Sequence, residues 1–299
     1  MRGLWRDLTD LVLPDDCGGC GRPRTLLCPE CRAALSGVEP RRVRPEPEPP
    51  GLPVVYAAAG YSDEVRAVLL AHKERGALAL ARPLGVALAG AVRAGLVRAW
   101  RDRAEQGDRG ERGGAAYGGQ GAVGGEVLLV PVPSARAAVR ARGHDPVRRI
   151  ALAAAGELRR TGTSARVLAA LRQRRAVADQ AGLDSRQRLE NLAGALTVAP
   201  GGAGLLRGRA VVLVDDLMTT GASLAEGARA VRVGVGTGVG GEGEGGGPPE
   251  EGARVTAVYT APSRERTEAC AARKRRAGPD GLVDVVCAAV VAATPAAFP

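Results

Sequence analysis

The sequence predicts an α/β fold with helices on both faces of a parallel sheet. Two observations carry that expectation. The apolar runs "VLLVPVP" (127–133) and "AVVLVDD" (210–216) read as buried strands, and helical stretches follow each of them. Strand and helix then alternate along the chain, the pattern of parallel crossover units. Aromatic residues make up only 2% of the 299 residues, so the core must be built from Val, Leu and Ala.

The elements follow in order. Leu4, Leu8, Leu11 and Val12 recur at helical spacing near the N-terminus, and a cysteine cluster follows, so residues 1–40 read as one small module. "RRVRPEPEPPGLP" (41–53) reads as a stiff extended linker, because its prolines fix φ and remove donors. Residues 54–299 form the main domain. Its first helix is capped by Ser62, carries Asp63 and Glu64 in its first turn, and buries Val65, Val68 and Leu69. A second helix follows Pro83 and runs toward Trp100. A Gly-rich segment at about 103–125 reads as a disordered insertion.

Beyond that insertion, strand 127–133 leads to a helix over 144–160. "RVLAAL" (166–171) is expected as a further strand, and residues 172–194 as a long polar connection. Strand 210–216 and a helix over 223–233 come next. A second Gly-rich tract, 234–252, reads as another disordered insertion. "RVTAVYT" (254–260) and "DVVCAAVVAAT" (284–294) compete to be the last strand.

Several function classes find no support. The chain has two histidines, which leaves little basis for Ser-His-Asp catalysis or an H-E-x-x-H zinc hydrolase, and no G-x-x-x-x-G-K-[ST] loop is present. No span reaches the roughly 18 apolar residues of a membrane helix. A net charge of +10 invites a nucleic-acid reading. The basic residues are nearly all Arg, with Lys only at 73 and 274, which fits a coding bias equally well. Two cysteines, Cys270 and Cys287, stand apart from the clustered four. That usage suits a reducing compartment, so a cytoplasmic location is expected.

Chemistry concentrates in "VVLVDDLMTTGAS" (211–223). Ligands of a parallel α/β sheet bind beyond the carboxyl ends of its strands, where Asp215 and Asp216 emerge. Adjacent carboxylates repel and need partners, either a metal ion or hydroxyls such as a vicinal diol. Thr219, Thr220, Gly221, Ala222 and Ser223 then turn into a helix, offering backbone N–H groups and hydroxyls to an anion. A ribose 5-phosphate satisfies both halves. Receiver domains and the Mg²⁺ sites of nucleotide hydrolases also end a strand in two acids, and so does a capped turn with no ligand.

Cys17, Cys20, Cys28 and Cys31 form two C-x-x-C pairs in "CGGCGRPRTLLCPEC". Four thiolates suit a closed tetrahedral Zn²⁺ site of structural role. An iron–sulfur or rubredoxin-like centre and a redox dithiol are the competing readings.

The strand-and-turn motif resembles the phosphoribosyl-diphosphate motif of type I phosphoribosyltransferases. Joined to a zinc module, it resembles the ComF family, associated with DNA uptake in competent bacteria. "CGGCGRPRTLLCPECRAAL", "AAGYSDEVRAVLLAHKERG", "VPVPSARAAVRARGHD", "DQAGLDSRQRLENLAGA" and the closing "AAVVAAT" are similar to that family's finger, helix, proline-rich turn, loop and last strand. The resemblance implies a type I phosphoribosyltransferase-like fold that binds phosphoribosyl diphosphate with Mg²⁺ and transfers phosphoribosyl to an acceptor. Asp215 and Asp216 would be catalytic, contacting the ribose hydroxyls directly or through Mg²⁺. Thr219 to Ser223 would wrap the 5-phosphate. Ser134 stands where the family binds diphosphate, with Arg136, Arg140, Arg142, Arg172 and Arg175 as cationic contacts. Lys73 occupies the family's lysine position, as an anion contact. The chain departs from the family after Gly143, where His144, Asp145 and Pro146 stand in place of an aromatic residue, Asn and Gln. The partners implied are phosphoribosyl diphosphate or a nucleotide, single-stranded DNA and the DNA-uptake machinery. A non-enzymatic sensor of the same ligand is the alternative.

Overall fold

Two central strands, β7 (Ala210–Met218) and β8 (Asp284–Ala293), pair in parallel and organise the molecule. The computed structural model describes residues 16–107, 125–175, 185–236 and 284–298. With β1 (Arg41–Val43), β2 (Val55–Gly60), β3 (Val127–Pro131) and β4 (Ala165–Val167) these strands form one six-stranded sheet in the order β1-β2-β8-β7-β3-β4. Every pairing is parallel except that of β1, which runs antiparallel along β2 at the edge. The expected mixed α/β sheet with flanking helices is present.

Strand alternation divides the core between two faces. Val127 and Leu129, Val212 and Val214, and Cys287, Ala289 and Val291 face helices α2 (Asp63–Lys73), α3 (Ala81–Gly107) and α5 (Pro146–Arg160). Leu128 and Val130, Val211 and Leu213, and Ala288 and Val290 face α7 (Gly202–Leu206), α8 (Ala222–Gly236) and an antiparallel ribbon of β5 (Leu171–Gln173) and β6 (Leu196–Val198). Small side chains replace aromatic bulk through close approach. At Gly95 of α3 an added Cβ would lie 2.6 Å from Cys287 Sγ, so the helix seats almost directly on β8.

Several expectations need correction. The stretch 41–53, expected as a stiff extended linker, opens with a strand of the sheet. Its prolines begin only at Pro45, so Arg41 to Val43 keep their donors, pair with Val55 to Ala57 as β1, and bury Val43. "RVLAAL" is not one strand. After β4, Leu168 N–H still donates to Leu129 O (2.9 Å), but Ala170 N–H closes on Leu168 O (2.8 Å) and turns the chain into β5 of the separate ribbon. The long polar connection therefore begins as β5 and ends as helix α6 (Ser185–Leu192). Short helix α4 (Arg136–Arg142) precedes α5 and buries none of its residues.

Of the two candidate last strands, 284–294 supplies β8, and 254–260 lies outside the described residues, as do the N-terminal helical pattern, 108–124 and 237–252. The ends assigned to the insertions, 103–107 and 234–236, belong to α3 and α8 instead. One helix, Leu78–Glu105, is long and apolar enough to cross a membrane by length and composition alone. It is a core element, with 61% of its apolar window buried.

Helix α1 (Pro29–Ser36) and the cysteine cluster pack into the same core as α2 and α3. Leu27, Leu35 and Cys31 belong to one buried cluster with Val68, Leu80 and Leu84. A segment too small to bury its own apolar surface thus shares that of the sheet.

Candidate functional site

The acid pair stands at the carboxyl end of β7, held from both sides by parallel neighbours: Val214 opposes Pro131 of β3 and Asp215 opposes Val290 of β8. Alternation puts Asp216 on the same face as Val212 and Val214, which is the face covered by α2. The last residue of α2 meets it: Lys73 Nζ lies 3.0 Å from Asp216 Oδ2. Asp216 is only 6% exposed, so this is a largely desolvated charge pair. Burial works against the Lys73 ammonium, but the charge and hydrogen bond of Asp216, then the charge of Asp215, outweigh it and raise the lysine pKa. Half-buried Asp215 accepts a hydrogen bond from Asp216 N–H through Oδ1 (2.9 Å). Its carboxyl is pushed well above the usual range, by burial first and by the charge on Asp216 second.

Three successive residues at the end of α2 each hold a different element. His144 Nε2 lies 3.2 Å from His72 O, Lys73 reaches Asp216, and Glu74 receives Arg142 Nε (2.8 Å) and Nη2 (2.9 Å) as a bidentate pair. Arg142 therefore fastens α4 to α2. His72 is buried against His144 with ring centroids 5.8 Å apart, and its burial lowers its pKa.

Beyond Met218 the chain makes the turn expected to hold an anion. Gly221 has φ +73°, a left-handed conformation in which glycine is unstrained, and its carbonyl accepts Ala225 N–H (3.0 Å) in the first turn of α8. A Cβ at Gly221 would lie 3.1 Å from Leu52 and 3.3 Å from Pro45, so the proline-rich stretch packs over the turn. Thr219 is exposed, Thr220 and Ser223 are half-buried, and Ala222 is buried at the start of α8. Arg188 Nη1 of α6 approaches Thr219 Oγ1 at 3.4 Å. Ser134 lines a cleft with Arg136, Arg140 and Arg172.

The four cysteines gather as the two C-x-x-C pairs predict. All four Sγ atoms lie within 4.8 Å of one another, and Cys20 and Cys28 are 3.6 Å apart. Thiolates about 2.3 Å from a tetrahedral Zn²⁺ would be separated by slightly less than 4 Å. Backbone donors already face the sulfurs, with Cys28 N–H on Cys17 Sγ (3.3 Å) and Cys31 N–H on Cys28 Sγ (3.5 Å). Burial opposes ionisation of Cys17, yet the N–H groups of Cys28, Cys20 and Gly19 overcome it and draw its pKa down to about 6. The donor set fits a metal such as zinc. Among the described residues no other group of three or more metal-ligating side chains gathers in this way.

Sequence reasoning missed Glu74, Arg188 and Glu226. Glu226 of α8 is buried, accepts Leu196 N–H (2.9 Å) and pairs with Arg229, whose Nη2 donates to Leu196 O (3.0 Å), so α8 is tied to the ribbon. Local spacing marks only the i,i+3 pair of Glu226 with Arg229; the partners of Glu74 and Arg188, and the Leu196 backbone that Glu226 meets, come from distant elements. No family model matches the chain, and no curated protein is found similar to it.

Proposed function

We propose that the chain is a ComF-like protein of the type I phosphoribosyltransferase kind. It binds phosphoribosyl diphosphate at the end of β7 and transfers the phosphoribosyl group to a nitrogen acceptor. One observation carries this reading. Two acids at a parallel strand's carboxyl end run within a few residues into a glycine turn and the N-terminus of a 15-residue helix. The ribose diol would donate to Asp216 and Asp215, and the 5-phosphate would take the N–H groups of Thr220 to Ser223 with the Thr219 and Thr220 hydroxyls.

In the transfer, the C1–O bond breaks with its electron pair leaving on diphosphate. The acceptor nitrogen's lone pair forms the C1–N bond, and the nitrogen gives up its proton to the departing diphosphate. Positive charge develops on the ribose ring, so the Asp216 side chain nearby would stabilise it electrostatically. Lys73, paired with Asp216 at 3.0 Å, holds that side chain in place and stands ready to meet a donor oxygen. Mg²⁺, if bound with the donor, would neutralise charge on the departing diphosphate, with Asp215 and Asp216 as its candidate ligands on the protein. Zn²⁺ at the four cysteines is structural, because four thiolates leave no open position. A cytoplasmic setting and a role in DNA uptake belong to the same reading.

Calorimetric titration with phosphoribosyl diphosphate and Mg²⁺ tests it. Saturable heat that Asp216→Asn abolishes is the expected result. A folded protein that gives no heat, or an Asp216→Asn variant that binds as well as wild type, overturns it. A mass-spectrometric screen of nitrogen acceptors then separates a transferase from a protein that binds the donor without reaction.

A further inference from the structure

The proline-rich stretch does more than continue the sheet edge. Arg44 N–H donates to Ala297 O (2.7 Å) as the chain leaves β1, and Leu52 N–H closes on Pro49 O (3.2 Å) before β2 begins. Pro45 and Pro49 are buried, and their fixed φ angles stiffen the backbone between β1 and β2. Near the far end, Arg232 of α8 donates through Nη2 to Gly51 O (3.1 Å). Residues 44–52 are thus a strap, fastened at one end to the C-terminal segment and at the other to the helix that follows the threonine turn. Leu52 itself packs against the core on the α8 side of the sheet.

This strap meets the turn where the turn does least to hold itself. Among the described residues, the N–H groups of Thr219 to Ser223 donate to no protein acceptor. They are therefore open to an anion, but they do not fix the turn. Backbone bonds secure only its flanks: Met218 O accepts Thr294 N–H (3.1 Å), and Gly221 O accepts Ala225 N–H (3.0 Å). Gly221, at φ +73°, is the residue type with the most backbone freedom to lose on ordering. Contact supplies the missing restraint. A Cβ at Gly221 would lie 3.1 and 3.2 Å from the two δ-carbons of Leu52 and 3.3 Å from Pro45 Cγ. These apolar groups also keep water from that side of the turn, and a drier setting strengthens the pull of N–H dipoles on an anion.

We propose that Leu52, backed by Pro45 and clasped through Arg232, is a positioning residue of the anion turn. It holds Gly221 in its left-handed conformation, so that the N–H groups of Thr220 to Ser223 converge before a ligand arrives. Resting on the transferase reading above, the anion is the 5-phosphate of the donor. A leucine side chain makes no hydrogen bond to phosphate, so it acts through the turn.

Two measurements on the full-length, zinc-loaded protein test this. The first needs no ligand. Hydrogen exchange at Thr220 to Ser223, read by mass spectrometry, should quicken about ten-fold in Leu52→Ala and stay within about two-fold of wild type in Leu52→Met. Exchange at Val211 to Val214 of β7 should not change. The second is calorimetric titration with phosphoribosyl diphosphate and Mg²⁺, which Leu52→Ala should weaken about ten-fold and Leu52→Met about two-fold or less. Inorganic diphosphate with Mg²⁺ carries no 5-phosphate and should bind the variants as it binds wild type. Arg232→Gln removes only an exposed side chain and its bond to Gly51, so it serves where Leu52→Ala fails to fold; it should move both readouts the same way by about three-fold. Unchanged exchange at the turn overturns the proposal, and so does unchanged donor affinity. If β7 exchanges faster along with the turn, or diphosphate weakens along with the donor, Leu52 merely supports the fold and the proposal falls. A wild-type protein that binds no donor defeats the transferase reading instead, and the exchange measurement alone then decides whether the strap holds the turn.

Discussion

Lys73 and Asp216, 143 residues apart in sequence, form a 3.0 Å ion pair that joins the end of α2 to the end of β7. Lys73→Met keeps most of the aliphatic stem and removes the charge, leaving Asp216 buried without its counter-charge. Breaking a fully buried pair costs about 3–5 kcal/mol; the lysine side chain is 35% exposed, so solvent screening reduces the expected cost to about 1–2 kcal/mol. Urea denaturation measures it. Lys73→Met with Asp216→Asn should recover most of the loss, because no unpaired charge remains. Strictly additive losses in the double variant would show that the two residues do not act as a pair.

Asp215 gives the site a pH dependence of definite sign. Burial and the neighbouring Asp216 raise its folded-state pKa above the unfolded value, so between those values the native state holds a proton that the unfolded chain has released. Its contribution to stability therefore falls as pH rises from the ordinary carboxylate range through that window. Asp215→Asn, which can still accept Asp216 N–H, should melt higher than wild type near neutral pH. The gap should close as pH falls below about 3, where the carboxyl is protonated in both states. Thermal melting across pH provides the check, and a gap independent of pH would contradict it.

The cysteine cluster should hold one metal ion per chain, and its removal should be felt throughout the sheet domain. Elemental analysis of the purified protein tests the first part. For the second, Cys31→Ser or a chelator should lower the melting temperature of the main transition by about 10 °C or more, since Leu27 and Leu35 share a core with Leu80 and Leu84. A main transition that ignores metal loss would mean that the cysteine segment is dispensable to that core.

Gly221→Ala would place a Cβ in a left-handed turn and 3.1 Å from Leu52. The backbone penalty is about 1–2 kcal/mol. Donor affinity should fall with it, because the same turn aims the first N–H groups of α8. Stability and calorimetric affinity of this variant are the paired readouts. Wild-type values for both would remove the turn from the site.

The core strands and the acid-and-threonine turn were legible in the sequence because their signals are local. A run of four buried apolar residues ends in Asp215 and Asp216, and Ser62 with Asp63 and Glu64 marks the start of α2 correctly, although the Ser62 side chain makes no capping bond. The paired C-x-x-C spacing also translates directly into a cluster. Illegible were features fixed by tertiary neighbours. "RAAVRAR" has no apolar stripe to announce α4, and that helix is held instead by Glu74 and the backbone of His72. Lys73 drew attention through the scarcity of lysine, but its partner depends on which face of β7 meets α2. Likewise β1 was hidden behind the prolines that follow it, and the ribbon behind a turn at residues 168–170. Strand order is the largest such gap, since no local pattern says that β8 lies between β2 and β7.

That last placement has a consequence for how the protein comes into being. The strand nearest the C-terminus fills the middle of the sheet, with β2 hydrogen-bonded on one side and β7 on the other. A nascent chain still lacking residues 284–293 carries two half-sheets with unsatisfied inner edges, so folding of the sheet must wait for translation to pass Ala293. Any product cut short before that point would lack the seam rather than the fringe, leaving exposed strand edges for chaperones and proteases to recognise.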